Sequence, residues 1–187
     1  MNQTLEQKVV IVSIAFNNPD FIYFQKKSID KYILDKNVEF IVFDDSKDKL
    51  ITQQIENKCS ELNILYIRID QDIHIDRNLV FLNPVTNIRK EMMKYNKEIE
   101  FYNRPRNANC IGFRHCSSVQ FIFNYFLNKN NTKYSDYILF NLDSDMFFID
   151  NLSLNNYIGN NHIAASFRGS GIAGKLYMWP NIFMFNL

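Results

Sequence analysis

Two aspartates, Asp143 and Asp145, are separated by one residue and lie between two apolar runs, residues 137–142 and 146–149. Two carboxylates this close repel each other unless a cation neutralises them. Their oxygens are the ligands that hard divalent ions such as Mg²⁺ and Mn²⁺ prefer. Because a buried run precedes the pair, the motif predicts a divalent cation site at the end of a strand, suited to a metal-bound diphosphate.

Polar residues also follow the first two apolar runs of the chain. Asn17 comes directly after the first run, and Asp44 with Asp45 comes directly after the second. Ligands of open α/β sheets bind beyond the carboxyl ends of the strands, so we expect these residues and the later aspartate pair to line one crevice. A structural alternative is that Asp44, Asp45 and Ser46 cap the helix that follows.

The apolar runs have the length and the β-branched composition of strands, and segments of helical length separate them. This alternation predicts an α/β domain. The predicted strands are residues 9–16, 39–43, 63–69, 137–142 and 162–167, and residues 179–187 resemble a strand that is interrupted. The predicted helices are residues 19–34, 49–61 and 110–128.

The residue types predict how the first helix begins and which faces the first two helices bury. Asn18 precedes Pro19, and an asparagine oxygen at that place accepts a backbone N–H of the first helical turn. Apolar residues at helical spacing mark the inner faces. They are Phe21, Ile22, Ile29 and Ile33 in the first helix and Leu50, Ile51, Ile55 and Cys59 in the second.

The stretch after the third strand offers a second, less favoured metal site. Residues 70–83 contain an alternating segment, and an extended chain would place Asp72, His74 and Asp76 on one face. They are either metal ligands or a solvated strand face. The residues that follow, 84–100, are expected to form a polar surface helix.

Cys110, His115 and Cys116 suggest zinc, but no second pair of cysteines or histidines has a suitable spacing. We therefore interpret these three as buried helix residues. A glycine-rich segment, residues 168–174, predicts a mobile loop that closes over a bound donor.

Four segments follow one another in the order VVIVSIAFNNP, EFIVFDDS, an arginine-bearing helix and YILFNLDSDMFF. This order resembles the nucleotide-sugar-binding half of the GT-A fold glycosyltransferases, over residues 8–170. The resemblance implies a Rossmann-like α/β fold with a mixed, mainly parallel sheet flanked by helices. It also implies that Asp143-Ser144-Asp145 is the DXD motif of the family, which takes Mn²⁺ or Mg²⁺. Asp143 would contact ribose or metal, and Asp145 would be the main metal ligand.

The same resemblance implies a nucleotide site. Ala15, Phe16 and Asn17 at the end of the first strand, with Asp45 after the second, would hold the base and ribose. Arg114, on the helix before the DXD strand, would reach the nucleotide. From the residues alone, Arg114 could instead pair with a surface acid.

The implied activity is transfer of a hexosyl or deoxyhexosyl group from a nucleotide diphosphate donor, expected to be a UDP-sugar, to a hydroxyl of a glycan or other acceptor. An inverting transfer needs a general base, yet no Asp or Glu follows Asp150. We expect the base beyond Leu187, because His162 is a poorly placed candidate. The alternative function is a non-catalytic nucleotide-sugar-binding or protein-interaction domain of a larger assembly.

Length and composition bound the protein class. A chain of 187 residues with a net charge of +1 fits one domain and gives no sign of nucleic-acid binding. Three cysteines cannot form a disulfide framework, which favours a reducing, cytoplasmic location. The apolar run nearest the N-terminus, residues 9–16, is too short for a signal peptide core or a transmembrane segment, so we expect no transmembrane segment. We expect residues 1–187 to be a single domain, the front part of a longer protein.

Overall fold

Six strands form one mixed sheet in the computed structural model, which describes residues 7–74, 111–128, 134, 136–169 and 176–187. The strands are β1 (Lys8–Ala15), β2 (Val38–Asp44), β3 (Leu65–Arg68), β4 (Tyr137–Leu142), β5 (Ile163–Gly169) and β6 (Leu176–Asn186). Their order across the sheet is β3-β2-β1-β4-β6-β5. The first four of these are mutually parallel, whereas β6 runs antiparallel to both β4 and β5. The predicted mixed, mainly parallel sheet is confirmed.

The helices lie between the strands along the chain, as the alternating pattern predicted. They are α1 (Asp20–Tyr32), α2 (Lys49–Glu61), a 3-10 helix (Gln71–His74), α3 (Ile111–Leu127) and α4 (Leu154–Ile158). The chain divides into two compact units, one formed by Met1–Ile69 with Ile122–Leu187 and the other by Asp70–Phe121. The sheet belongs to the first unit.

The central strand β1 explains why its sequence is continuously apolar. A parallel strand in the middle of a sheet is covered on both faces, so both sets of alternating side chains must be apolar. Val9, Val10, Ile11 and Val12 have no exposed surface. On one face, Ile22 of α1 and Ile55 of α2 join the same core.

Helix α2 has the predicted bounds, but its start and one of its inner residues differ from the prediction. Leu50 is 67% exposed, because the buried stripe follows Ile51, Ile55 and Cys59 at four-residue spacing and Leu50 lies off it. Asp48 caps the helix, accepting from the Leu50 N–H at 2.7 Å and the Ile51 N–H at 3.3 Å. The prediction that residues 44–46 cap this helix is therefore wrong.

Helix α1 begins one residue later than expected and without an asparagine cap. Pro19 is the N-cap residue, and no side chain accepts a bond from the first turn. Ile22 and Ile29 are buried as predicted, but Phe21 is only partly buried. Its ring meets the ring of Phe147 edge-on, with centroids 5.8 Å apart.

Two predictions in the remaining segments are corrected in part. Gln71–His74 is a 3-10 helix, so the extended strand expected there is wrong, while Asp76 and residues 84–100 lie outside the described residues. Arg168 and Gly169 belong to β5 and pair with β6, and they do not belong to a loop. The rest of the glycine-rich segment, residues 170–174, also lies outside the described residues.

Candidate functional site

The carboxyl ends of β1, β2 and β4 meet at one edge of the sheet. Ala15, the last residue of β1, pairs with Asp44 of β2. Leu142, the last residue of β4, pairs with Ser13 of β1. Asp143 follows Leu142 directly, so the aspartate motif begins within one residue of the level of Ala15. The shared sheet edge that the sequence predicted for these residues is therefore present.

The aspartate motif forms a tight turn. The Met146 N–H donates to the Asp143 carbonyl oxygen at 3.0 Å, and the Ser144 N–H donates to Asp143 Oδ1 at 2.8 Å. Asp143 is partly buried, whereas Asp145 is exposed. The turn therefore presents one carboxylate at the strand end and a second on the open side of the turn.

A side chain that the sequence analysis missed holds this turn against α1. The Gln25 Nε2 donates to the Asp143 carbonyl oxygen at 2.8 Å and to the Met146 carbonyl oxygen at 3.3 Å. Gln25 is 1% exposed and lies three residues after Ile22, on the buried stripe of α1. A glutamine on an apolar helical stripe was the available signal, because a buried amide must find hydrogen-bond partners.

Two hydrogen bonds, one of them to a side chain, join the segments at the ends of β1 and β2. The Asp45 N–H donates to the Ala15 carbonyl oxygen at 2.9 Å, and the Asn17 N–H donates to Ser46 Oγ at 3.2 Å. Asn17 has a φ of 57°, in the left-handed region that asparagine tolerates better than most residues. Phe16 is 41% exposed and Asp45 only 3%. The structure thus brings Ala15, Phe16, Asn17 and Asp45 together.

The carboxylate of Asp44 is part of the fold. It is fully buried, and it accepts from Arg68 Nη1 at 2.7 Å and from the Tyr66 hydroxyl at 3.0 Å. The Ser46 N–H donates to its other oxygen at 2.8 Å. Burial, followed by the negative charge of Asp44, raises the pKa of Tyr66. These contacts give Asp44 a structural role at the end of β2.

Arg114 lies in the part of α3 that belongs to the second compact unit. It is 5% exposed, and its Nη2 donates to Gln71 Oε1 at 2.6 Å within that unit. Its predicted contact with the nucleotide stays a prediction.

The donor set at the aspartate turn fits a divalent ion that binds with a diphosphate. Asp143 and Asp145 supply hard carboxylate oxygens, and Mg²⁺ commonly takes one or two protein carboxylates plus oxygens of substrate phosphates. Within the part of the chain that the structure describes, no group of three or more His, Cys, Asp or Glu could hold a metal by itself.

No protein-family model and no curated protein sequence matches this chain. Solved structures do match. The mannosyltransferase Ktr4p from S. cerevisiae in complex with GDP superposes with a TM-score of 0.52 at 9% identity, over 99% of this chain and 58% of that one. Core-mannan synthase A from Aspergillus fumigatus, in a Mn/GDP form, superposes with a TM-score of 0.53 at 8% identity, over 100% of this chain and 61% of that one. The galactosyltransferase LgtC, in complex with donor and acceptor sugar analogues, superposes with a TM-score of 0.52 at 16% identity, over 95% of this chain and 58% of that one.

This chain has the GT-A fold. The fold expected from the order of the sequence segments is thereby confirmed. At 8% to 16% identity the likeness concerns the GT-A fold alone, and the chain spans 58% to 61% of the length of these glycosyltransferases. Among the described residues, no helix of this GT-A domain is long and apolar enough to cross a membrane.

Proposed function

We propose that this chain binds a nucleotide diphosphate sugar with a divalent ion and transfers the sugar to a hydroxyl acceptor. The observation that carries the proposal is the Asp143-Ser144-Asp145 turn, which directly follows β4 at the edge where β1 also ends. The GT-A fold supports it, because solved structures with this fold include mannosyltransferases and a galactosyltransferase. One of them is in a Mn/GDP form.

In this proposal Asp143 and Asp145 hold Mn²⁺ or Mg²⁺ together with the diphosphate. The ion, when bound, stabilises the negative charge that builds on the departing nucleoside diphosphate. Asp145 is the main protein ligand, since its side chain is on the exposed side of the turn. Asp143 contacts ribose or shares the ion.

The nucleoside is proposed to lie across the ends of β1 and β2. Phe16 is 41% exposed and offers an aromatic surface, while Asn17 and Asp45 supply polar groups for the base and ribose. The hydrogen bond from the Asp45 N–H to Ala15 keeps the two strand ends in register.

We propose a UDP-sugar carrying a hexosyl or deoxyhexosyl group as the donor. GDP is the competing nucleotide, because the structures of Ktr4p and core-mannan synthase A contain it. The acceptor is a hydroxyl of a glycan or another molecule. Since no carboxylate follows Asp150 in the chain, we assign no general base among those residues.

Calorimetric titration of the chain with UDP and with GDP, each with Mn²⁺ or with EDTA, tests the proposal. We expect one nucleotide to bind with Mn²⁺ and to lose most of its affinity in EDTA, because the two carboxylates repel a diphosphate without a bridging ion. Equal affinity in EDTA would contradict the metal site. Nucleotide release from UDP-sugars then separates an enzyme from the alternative, a non-catalytic nucleotide-sugar-binding domain.

A further inference from the structure

Gln25 connects α1 to the turn that carries Asp143 and Asp145. From this contact we propose that Gln25 is a positioning residue for the metal site. It does not touch the ion, and it acts by fixing the backbone from which both carboxylates extend. The inference rests on the proposed function, because it concerns the same metal site.

The geometry gives Gln25 two simultaneous contacts across the turn. A side-chain amide has two N–H donors. The Gln25 Nε2 is 2.8 Å from the Asp143 carbonyl oxygen and 3.3 Å from the Met146 carbonyl oxygen, at the first and last residues of the turn. One side chain thus fixes both ends of the segment that contains Ser144 and Asp145.

Burial makes this contact a strong constraint. Gln25 is 1% exposed, so its amide cannot exchange these partners for water without disrupting the packing of α1. A buried amide without partners is costly, and its partners are therefore held in place. The neighbouring rings add to the same contact, because Phe147 packs edge-on against Phe21 and Phe24 with centroids 5.8 and 6.1 Å apart.

A fixed turn matters because the two carboxylates repel each other before an ion arrives. A flexible turn would relax by separating them, and ion binding would then have to order the turn again. Sites held in advance by packed supporting residues bind more tightly for this reason. Gln25 therefore acts on affinity for the ion and not on the identity of its ligands.

Gln25→Met tests the inference, because it keeps an unbranched side chain of similar length and removes both donors. Affinity for UDP and for GDP is measured by calorimetric titration in saturating Mn²⁺, because the proposed ion is held together with the diphosphate. We expect Gln25→Met to bind the nucleotide about three- to tenfold more weakly than the wild type, the range that one hydrogen bond of ordinary net strength gives. Ser28→Ala is the matched control, since the Ser28 hydroxyl donates to the Gln25 carbonyl oxygen inside α1. Its affinity should equal that of the wild type.

Hydrogen exchange gives a readout that needs no ion. The Met146 N–H, which donates to the Asp143 carbonyl oxygen, should exchange about three- to tenfold faster in metal-free Gln25→Met and at the wild-type rate in Ser28→Ala. If Gln25→Met does not fold, Gln25→Asn replaces it, because its shorter amide cannot reach both carbonyl oxygens. It should show the same two effects.

The outcomes separate this inference from the proposed function. A wild-type chain that binds neither UDP nor GDP in Mn²⁺, or binds them equally well in EDTA, refutes the proposed function, and the role of Gln25 in it as well. A wild-type chain that binds a nucleotide only with Mn²⁺ while the Gln25 variants match it in affinity and in Met146 exchange refutes the role of Gln25 alone.

Discussion

Asp44 and Arg68 lie directly opposite each other on β2 and β3, and the Arg68 Nη1 donates to Asp44 Oδ2 at 2.7 Å. The Asp44 side chain has no exposed surface, while that of Arg68 is 33% exposed. Arg68 also donates to the carbonyl oxygens of Asp44 and Ser46. This contact fixes the end of β2, from which the chain continues into the candidate ligand Asp45.

Replacing Arg68 with methionine should lower the free energy of unfolding by about 3 kcal/mol, because it leaves the Asp44 carboxylate buried without its ionic partner. Urea unfolding measures the loss. Lys26→Met is the matched control, since Lys26 pairs with Asp30 on the surface of α1 and such exposed pairs contribute little. If Arg68→Met were as stable as Lys26→Met, the ion pair would not be what holds the end of β2.

Asp35 should matter to stability although it lies far from the candidate site. It is 7% exposed and accepts from the N–H groups of Leu154 and Asn155 at 2.6 and 3.1 Å, which ties α4 to the chain after α1. Asp35→Ala should lower the free energy of unfolding by about 2–3 kcal/mol, as expected for the loss of hydrogen bonds to a charged group. Ser153→Ala, which removes the local cap to the Asn156 N–H and one hydroxyl contact to Asp35 at 3.1 Å but leaves the N–H contacts of Leu154 and Asn155, should lower the free energy of unfolding by only about 1 kcal/mol. Thermal unfolding compares the two, and equal losses would argue against the long-range cap.

Asn17 allows backbone and side-chain roles to be separated. Asn17 has a φ of 57°, a left-handed conformation that glycine adopts readily and alanine does not. Asn17→Gly should therefore keep the free energy of unfolding, whereas Asn17→Ala should lower it by about 1–2 kcal/mol. If the Asn17 side chain contacts the nucleotide as proposed, Asn17→Gly should nevertheless weaken nucleotide binding. Unfolding and calorimetric titration of both variants measure the two effects. A glycine variant with wild-type nucleotide affinity would remove Asn17 from the site.

The thiol of Cys59 should make stability depend on pH under alkaline conditions. Burial raises its pKa to about 12, with a smaller contribution from the charge of Asp44. The folded chain therefore keeps the proton that the unfolded chain loses above about pH 8.5. The thiol contributes its full share of the free energy of unfolding below about pH 8.5. That contribution falls between about pH 8.5 and 12, by up to about 1.4 kcal/mol per pH unit.

Unfolding of the wild type and Cys59→Ala across this pH range isolates the effect. The stability of the wild type relative to the variant should decline as the pH rises. Alkylation of native Cys59 at pH 8.5, followed by peptide mass spectrometry, should be far slower than in urea. Rapid alkylation of the folded chain would contradict the buried, protonated thiol.

The sequence was sufficient to predict the strands and helices with strong periodicity. The bounds of α2 and β4 were predicted residue by residue, because a full amphipathic helix and a fully apolar strand leave little freedom. Leu50 was misassigned because it is apolar and next to the buried stripe, although it lies off that stripe.

Contacts between distant segments could not be predicted in the same way. Gln25 and the Asp143 turn are 118 residues apart in sequence, and their hydrogen bonds depend on how α1 packs against the end of β4. Likewise, the surroundings of Asp44 depend on β3, which places Tyr66 and Arg68 beside its carboxylate. Local patterns identify the candidate residues, while the strand order decides their neighbours.

Asp145→Ala is the variant that tests the proposed metal site most directly. Asp145 is exposed, so its removal should leave the thermal transition unchanged. Asp150→Ala is the matched control, because Asp150 is an exposed aspartate five residues further along the same segment. Asp72→Ala is a second control for the alternative acidic segment.

The measurement is the affinity for UDP in the presence of Mn²⁺, obtained by calorimetric titration of the wild type and these three variants, with GDP titrated in parallel. We expect Asp145→Ala to lose more than about 100-fold in nucleotide affinity, beyond the range for removal of a group that only supports a metal ligand. Asp150→Ala and Asp72→Ala should bind as the wild type does. Wild-type affinity in Asp145→Ala for whichever nucleotide binds, or a loss confined to Asp72→Ala, would contradict the assignment of the metal site to the Asp143-Ser144-Asp145 turn.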